Sequence, residues 1–369
     1  MKINIIDAGM SSLNGHHADI NLRLAREFAS RGHDVAIYGH KAFPENQTPY
    51  PVHRLFSIEP YNLLPIMAQP AQNPKPNTNF DLAAHVFSTE LQAIPPADIS
   101  LFPTLFSYQL AVLGAHRSRL NRTYGALHVH PSFNNPAGSR LWKAALARSL
   151  PGMADIRLGV FEPELLLEYE LLLPDERVRI HEFPIPHDGS GQGLLQSTLA
   201  TVGILGHQRQ TKGAGNLRHT AGELVSRGFD IIIQDSAGRY STTADANPKI
   251  KTRGYVPDMG ALIRECGAVL LDYDPGMYRY SGSGIAWECI ASGVPFLAPQ
   301  GTTISRLVRT YGTGGVFCSA EPSSKFRLLE TMRDGYSEYL RLAENARTIY
   351  QQRHGTARFV DYILGEDRA

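Results

Sequence analysis

The sequence has little cysteine, no excess of charge of either sign and no long apolar run. Its three cysteines stand apart at positions 266, 289 and 318, a spacing that fits neither a disulfide framework nor a zinc module. The 36 Lys and Arg residues nearly balance the 35 Asp and Glu residues, so no uniform field attracts nucleic acid or an anionic membrane. The uncharged stretch 99–115 is interrupted by Pro103, Ser107 and Gln109 and falls short of the ~20 apolar residues that a spanning helix needs. These absences exclude a disulfide scaffold, a nucleic-acid binder and a membrane-spanning protein.

The composition predicts a folded protein of a reducing cytoplasm. Hydrophobic residues make up 43% of the 369 residues and charged residues 19%, which is ordinary for a globular protein. The first residues, MKINIIDAG, already have the pattern of a strand, so we expect no secretory signal. We therefore expect a cytoplasmic location, and peripheral contact with the inner membrane surface is left open.

Short β-branched runs alternate with helix-period stretches along the chain. Residues 2–7 and 34–38 have strand patterns, and apolar residues recur at spacings of three and four in the helix pattern 18–31 between them. Further strands are predicted at 98–102, 124–129, 156–160, 201–205, 230–234, 251–255, 268–273 and 294–298, and helices at 81–91, 106–118, 141–149, 213–227, 259–266, 284–291, from 304, and twice within 337–364. Such alternation predicts βαβ units and parallel sheets.

Two segments depart from this pattern. Residues 44–76 hold eight of the 24 prolines, which predicts a long surface excursion, partly extended, with a role in acceptor binding left open. The sequence PIPHDGSGQG at 184–193 has the composition of a connector. We therefore predict an N-terminal Rossmann-like domain at 1–185, a linker at 186–198, a C-terminal Rossmann-like domain at 199–350 and a C-terminal helix region at 351–369.

Ligands of open parallel sheets bind beyond the carboxyl ends of the strands, so the loops there are the candidate sites. After the strand that begins the second domain, GHQRQTKG places Arg209 and Lys212 beside a predicted helix start. Two cations at a helix N-terminus suit a pyrophosphate, although solvated surface cations are the alternative. The pattern is not a Walker A loop. In the first domain, Gly15 precedes a helix, but the loop is not GxGxxG and does not indicate a nicotinamide dinucleotide.

The segment YRYSGSGIAWECIASGVPFLAP at 278–299 is the most informative. Ser281, Gly282, Ser283 and Gly284 follow a strand and lead into a helix, where amides and hydroxyls can cradle a phosphate. About one turn farther along, the Glu288 carboxylate is placed to accept hydrogen bonds from a ribose diol. The alternative interpretation of Glu288 is a solvent-facing helix residue.

These motifs resemble those of retaining glycosyltransferases of the GT-B fold, similar to family 4. The resemblance rests on Gly15 before the first helix, RGHDVAIY at 31–38, GHQRQTKG at 206–213, RGYV at 253–256 and the 278–299 segment, all in the family's order. It implies an α/β GT-B fold, two Rossmann-like doubly wound domains facing a cleft. The N-terminal domain would bind the acceptor, the C-terminal domain would bind the nucleotide sugar, and the last helix would pack back toward the N-terminal domain.

The resemblance also implies the site. The donor would be a UDP-, GDP- or ADP-sugar, a substrate and not a cofactor, and no metal or other cofactor is expected. Catalytic roles would fall to His128, His130, Arg209 and Lys212; donor binding would fall to Gly15, Gly206, Arg209, Lys212, Tyr255, Val256, Tyr280, Ser281, Gly282, Ser283, Gly284 and Glu288. The family usually has a glutamate eight residues before the one on the ribose, and Tyr280 stands there instead.

The predicted activity is hexosyl transfer, with retention and without metal, from the nucleotide sugar to an acceptor hydroxyl. The acceptor is left open among saccharides, lipid-linked molecules and small molecules, and Leu63, Leu64, Ile66 and Met67 offer the apolar surface that a lipid contact needs. Two other interpretations stay open: a sugar-nucleotide epimerase of the same architecture and a non-catalytic sugar-nucleotide-binding protein. His128 and His130 also admit a purely structural role.

Overall fold

The chain forms two compact units. The computed structural model describes residues 1–13, 16–45, 48–62, 78–127, 136–149, 152, 156–172, 179–189, 195–206, 208, 210–235, 238, 240, 247–254, 256 and 258–366. One unit, here the N-terminal unit, comprises residues 1–186 and 356–369. The other, the C-terminal unit, comprises residues 187–355. Each is an α/β structure built on its own sheet.

The N-terminal unit contains a seven-stranded sheet whose described neighbours all pair in parallel. Its strands are β1 (Lys2–Ile6), β2 (Asp34–His40), β3 (Val52–Phe56), β4 (Ile99–Leu105), β5 (Arg122–Leu127), β6 (Ile156–Val160) and β7 (Ile180–Glu182). Its helices are α1 (His16–Ser30), α2 (Thr78–Leu91), α3 (Ser107–Leu113), α4 (Arg117–Leu120), α5 (Pro136–Ser149), α6 (Pro163–Leu172) and α13 (Thr356–Leu364). The strand order is 3-2-1-4-5-6-7. From β1 the chain adds β2 and β3 toward one edge of the sheet and β4 to β7 toward the other, so the switch point lies between β1 and β4.

One part of the core of this unit lies between the sheet and helices α1 and α13. In α1, Leu24, Ala25 and Phe28 are fully buried, because apolar residues spaced by three or four share one face of a helix. From α13, Phe359 and Ile363 enter the same cluster of buried side chains. The last helix is therefore a structural part of the unit that the first 186 residues build.

The C-terminal unit repeats the design with a six-stranded parallel sheet. Its strands are β8 (Thr201–Ile204), β9 (Asp230–Gln234), β10 (Ile250–Arg253), β11 (Ala268–Leu270), β12 (Phe296–Pro299) and β13 (Gly315–Phe317). Its helices are α7 (Leu217–Ser226), α8 (Met259–Glu265), α9 (Gly284–Ser292), α10 (Thr303–Tyr311), α11 (Ser324–Asp334) and α12 (Tyr336–Arg353). The order β10-β9-β8-β11-β12-β13 is that of a doubly wound dinucleotide-binding sheet, with its switch point between β8 and β11.

The predicted, partly extended excursion at 44–76 contains a strand. Strand β3 (Val52–Phe56) pairs with β2 inside the range predicted as a loop excursion. It is an edge strand whose residues His53 and Arg54 are exposed, so it lacks the apolar run of a central strand. The residues at 63–76, including the four apolar ones named above, lie outside the described part of the chain. Among the described residues, no helix combines the length and apolarity that crossing a membrane requires.

Candidate functional site

The carboxyl ends of β8 and β11 meet at the switch point of the C-terminal sheet, where open parallel sheets bind ligands. The loop after β8 contains Gly206 and a short 3₁₀ turn at Gln210–Lys212. The loop after β11 runs through Tyr273 to Ser283, which caps α9. The sequence-predicted phosphate loops are thus neighbours in space, as expected for the ends of adjacent parallel strands.

Tyr273 joins these two loops. The Lys212 ammonium lies over its ring, with Nζ 4.9 Å from the ring centroid. Its hydroxyl lies 3.2 Å from Oγ of Ser283. Burial raises the pKa of Tyr273 well above its ordinary value, so the phenol stays protonated and can hydrogen bond. The result is a cation, an aromatic ring and a helix cap held together in one cluster, here called the Lys212 cluster.

Two glycines with positive φ allow the backbone of the first loop to pass close to the second. Gly206 has φ +93° and donates its N–H to Oε1 of Gln234 at 2.7 Å. Gly213 has φ +79°, and a Cβ there would lie 2.7 Å from the carbonyl oxygen of Asp272. An L side chain at either position would be strained, and at Gly213 it would also push the loop away from β11.

The N-terminus of α9 provides backbone donors beside this cluster. Oγ of Ser283 accepts a hydrogen bond from the Ala286 amide at 3.4 Å. The first amides of a helix have no intrahelical acceptor, so those of Gly284 and Ile285 are the ones a bound anion would meet. Together with the Lys212 ammonium they form a site of positive potential suited to a phosphate.

Glu288 does not face solvent. Its side chain is 5% exposed, and Oε1 accepts a hydrogen bond from Nδ1 of His187 at 2.9 Å. Because a carboxylate only accepts hydrogen bonds, Nδ1 of His187 carries the proton in this pair. The interpretation of Glu288 as a solvent-facing helix residue is therefore wrong. His187 was not predicted as a site residue.

Each of the two carboxylates after β11 has one oxygen engaged by the C-terminal unit itself, Asp272 where it is half-buried and Asp274 where it is exposed. Asp272 pairs with the buried Lys325 ammonium, which also donates to Oγ1 of Thr220 at 3.2 Å. Oδ1 of Asp274 accepts the amides of Gly276 and Met277, at 2.8 and 3.1 Å. Although these residues spell a DxD string, their oxygens anchor a loop and a helix.

The remaining predicted donor residues are placed less tightly or are not described. Tyr280, Ser281 and Gly282 are half-buried in the loop before α9, and the Arg279 guanidinium lies 5.2 Å from the centroid of the Tyr280 ring. Val256 is half-buried between β10 and α8. Five predicted residues lie outside the described residues: Gly15, His128, His130, Arg209 and Tyr255.

A second polar cluster, the Asp7 cluster, lies at the switch point of the N-terminal sheet. Asp7, directly after β1, is 1% exposed, and its two oxygens lie 2.9 and 2.8 Å from Nδ1 of His17. Asn21 donates to the same carboxylate at 2.8 Å, and Nε2 of His17 lies 3.1 Å from the hydroxyl of Tyr61. The Tyr61 ring packs edge-on against Phe106, the residue after β4. A Cβ on Gly9 would collide with the His17 ring, so the glycine makes this arrangement possible.

Charge pairing and hydrogen bonding together outweigh burial in setting the pKa values of this cluster. Burial alone would raise the pKa of Asp7, yet the charge of His17 and the hydrogen bonds from His17, Asn21 and the Gly9 amide lower it below 3.8. Burial alone would lower the pKa of His17, yet Asp7 and Glu59 raise it above 6.5. The geometry can hold an imidazolium or pass a proton between Tyr61 and His17. The sequence motifs of the candidate site do not include His17.

We expect these shifts to give the N-terminal unit a stability maximum in mildly acidic solution. The Asp7 contribution is present above pH 3.8 and is lost as the pH falls through the lowered pKa. The His17 contribution is present below pH 6.5 and is lost as the pH rises through the raised pKa. Each unit of pKa shift corresponds to about 1.4 kcal/mol in the free energy of unfolding.

The N-terminal unit can be followed by itself, because the two tryptophans lie in different units. Trp142 is buried in the N-terminal unit and Trp287 in the C-terminal unit. In a Trp287→Phe background, urea unfolding followed by Trp142 fluorescence should show stability falling as the pH rises above 6.5 through the raised pKa of His17. The His17→Asn variant should flatten that fall. An equal fall in both proteins would contradict the pairing.

Known proteins match this chain in structure, whereas none of the sequence comparisons gives a match. No protein-family model matches the sequence, and no curated protein sequence matches it either. Solved structures do match. A sucrose-phosphate synthase from Thermosynechococcus elongatus superposes with a TM-score of 0.69 at 14% identity, covering 99% of this chain and 98% of that one.

Two other glycosyltransferase structures are similar over their whole length. Anabaena HepE in complex with UDP-glucose gives a TM-score of 0.65 at 14% identity, covering 99% of both chains. WaaG, a glycosyltransferase involved in lipopolysaccharide biosynthesis, gives 0.63 at 13% identity, covering 100% of both. The likeness, with the seven- and six-stranded parallel sheets, shows that this chain has the GT-B fold, built from two Rossmann-like domains, that these glycosyltransferases share.

Proposed function

We propose that this protein is a glycosyltransferase of the hexosyltransferase type that uses a nucleoside-diphosphate sugar. The observation that carries the proposal is the Lys212 cluster beside the N-terminus of α9, at the switch point of the C-terminal sheet. Its chemistry suits a diphosphate. Support comes from the GT-B fold and from HepE, whose structure was solved with UDP-glucose.

In this proposal the leaving diphosphate is stabilised by the protein without a divalent metal. Negative charge develops on the diphosphate as the glycosyl bond breaks, and preorganised donors aimed at that charge lower the barrier. Lys212, Arg209 and the amides at the start of α9 would supply them. The engagement of Asp272 by Lys325 supports this interpretation.

Glu288 would bind the ribose of the same nucleotide. Gly206, Tyr255 and Val256 would line the nucleotide, and the loop Tyr280–Gly282 would lie near the sugar. The retaining family's first glutamate has no counterpart at Tyr280, so recognition of the sugar hydroxyls is proposed to differ from the family's usual pattern.

The acceptor is proposed to bind the N-terminal unit. The Asp7 cluster at its switch point supports this proposal, because a buried carboxylate and imidazole ending in a tyrosine hydroxyl can orient or deprotonate a hydroxyl group. His128 and His130 follow β5 in sequence, and we propose that they too act on the acceptor. With retention, the acceptor would attack from the face that the diphosphate leaves.

Donor turnover in water tests the function before the acceptor is known. We expect purified protein in EDTA to release free nucleoside diphosphate slowly from one of UDP-, GDP- and ADP-glucose, measured by ³¹P NMR. Early ¹H spectra should show the α-anomer of the released glucose, the retained configuration; the β-anomer would contradict retention. A new sugar nucleotide without free diphosphate would instead indicate an epimerase, and no turnover of any donor would favour a binding protein.

A further inference from the structure

His187 holds the carboxylate of Glu288 from a segment 101 residues away in sequence. Both side chains are almost fully buried, at 9% and 5% exposure, and Nδ1 lies 2.9 Å from Oε1. The other edge of the imidazole lies against the start of α9. A Cβ on Gly284 would be 3.5 Å from Cε1 and 3.8 Å from Nε2 of His187.

The histidine is itself fixed in place. Its carbonyl oxygen accepts a hydrogen bond from the buried hydroxyl of Tyr350 in α12 at 3.0 Å. Two residues later, Gly189 has φ +67°, and a Cβ there would lie 2.6 Å from the backbone of Ala291 in α9. The backbone at His187 is therefore held by α12, and two residues later it packs closely against the helix that carries Glu288.

A glutamate has three side-chain torsions, and recognition of a diol needs its carboxylate in one plane and position. A buried hydrogen bond to one oxygen selects that position before ligand arrives, which lowers the ordering cost of binding. It also offsets part of the cost of burying the charge. Hydrogen bonds to a charged group contribute about 1.5–3 kcal/mol. A variant that misplaces this carboxylate should therefore bind the ribose measurably more weakly.

We propose that His187 is a positioning residue that sets ribose recognition by Glu288. The inference rests on the proposed function, because it assigns the Glu288 carboxylate to the ribose of a bound nucleoside diphosphate. The sequence motifs of the donor domain do not include His187, which lies in the segment predicted as a linker.

The test measures ribose discrimination by calorimetry. Ribose discrimination is expressed as a ratio, the Kd of the 2′,3′-dideoxy nucleotide divided by the Kd of the parent nucleotide. The parent is whichever of UDP, GDP and ADP the wild type binds most tightly. The informative variants are His187→Asn, whose amide nitrogen takes the place of Nδ1, and His187→Gln, whose amide nitrogen reaches the place of Nε2. The exposed His219 in α7 provides a matched control, His219→Asn.

We expect a wild-type ratio of about 10 to 100, the fold-change that corresponds to a charge-assisted hydrogen bond. His187→Asn and His219→Asn should keep it, whereas His187→Gln should bring it to within about threefold of one. A merely structural histidine would lower the melting temperature of both position-187 variants and leave their ratios at the wild-type value, which would overturn the inference. A wild type that binds none of the three nucleotides would overturn the proposed function instead.

Discussion

Lys212→Ala is expected to lower kcat for donor turnover by about 10²–10³-fold while leaving the fold intact. The Lys212 ammonium belongs to the Lys212 cluster at the switch point of the C-terminal sheet. Its positive charge would stabilise the diphosphate as it departs. Removing one preorganised donor to a developing anion typically costs a factor of this size. The lost contact with the Tyr273 ring is worth about 0.5–2 kcal/mol, too little to unfold the unit.

The loss of kcat should be specific to Lys212 and should not follow from the removal of any positive charge. Lys251→Ala, on the exposed edge strand β10, removes the same charge from the same unit and should leave kcat unchanged. Release of nucleoside diphosphate, from whichever of UDP-, GDP- and ADP-glucose the wild type turns over, gives kcat for all three proteins. Equal kcat values for Lys212→Ala and wild type would remove Lys212 from the chemistry.

Phe359→Ala is expected to destabilise the N-terminal unit by about 3–5 kcal/mol, the usual cost of emptying a buried phenylalanine site. Phe359 lies in α13 and is fully buried. Its ring packs against Phe183 and Phe161, with centroids 6.0 and 6.2 Å apart. Arg31 additionally holds the helix through Asp361 at 2.6 Å. A loss of this size is a large part of the 5–15 kcal/mol that stabilises a typical domain.

Urea unfolding followed by Trp142 fluorescence in the Trp287→Phe background measures this loss in the unit that contains α13. The neighbouring Arg358 is exposed on the same helix, so Arg358→Ala should change the free energy of unfolding by less than about 0.5 kcal/mol. If Phe359→Ala unfolds at the same urea concentration as Arg358→Ala, then α13 does not contribute to the core as described.

The sequence predicts those elements whose local pattern agrees with their burial. Strand β9 has the bounds predicted for it, Asp230–Gln234, because three consecutive isoleucines are bounded by polar residues. Helix α6 was not predicted. Its apolar residues lie all round the helix, with Leu165 buried but Leu167 and Leu171 exposed at 62% and 81%, so no amphipathic period marks it.

The same distinction applies to the site. Lys212, Ser283 and Glu288 could be predicted because each lies in a short motif beside a strand end and a helix start. The partners of these residues could not, since His187 meets Glu288 only through the fold and Tyr273 gains its role from the packing of two loops. Asp7 and His17 are ten positions apart in sequence, and they pair because the end of β1 and the start of α1 lie close together in space. A single sequence does not show which residues of that loop and helix meet.

Nucleotide binding in EDTA tests the central claim most directly, through the melting temperatures of wild type and Glu288→Gln with UDP, GDP and ADP. A ligand at 100 times its dissociation constant stabilises the native state by about 2.7 kcal/mol, which gives a clear shift. We predict that one of the three diphosphates raises the wild-type melting temperature and that the shift at the same concentration shrinks in Glu288→Gln. No shift with any of them would contradict the assignment of the C-terminal unit to a nucleoside-diphosphate sugar.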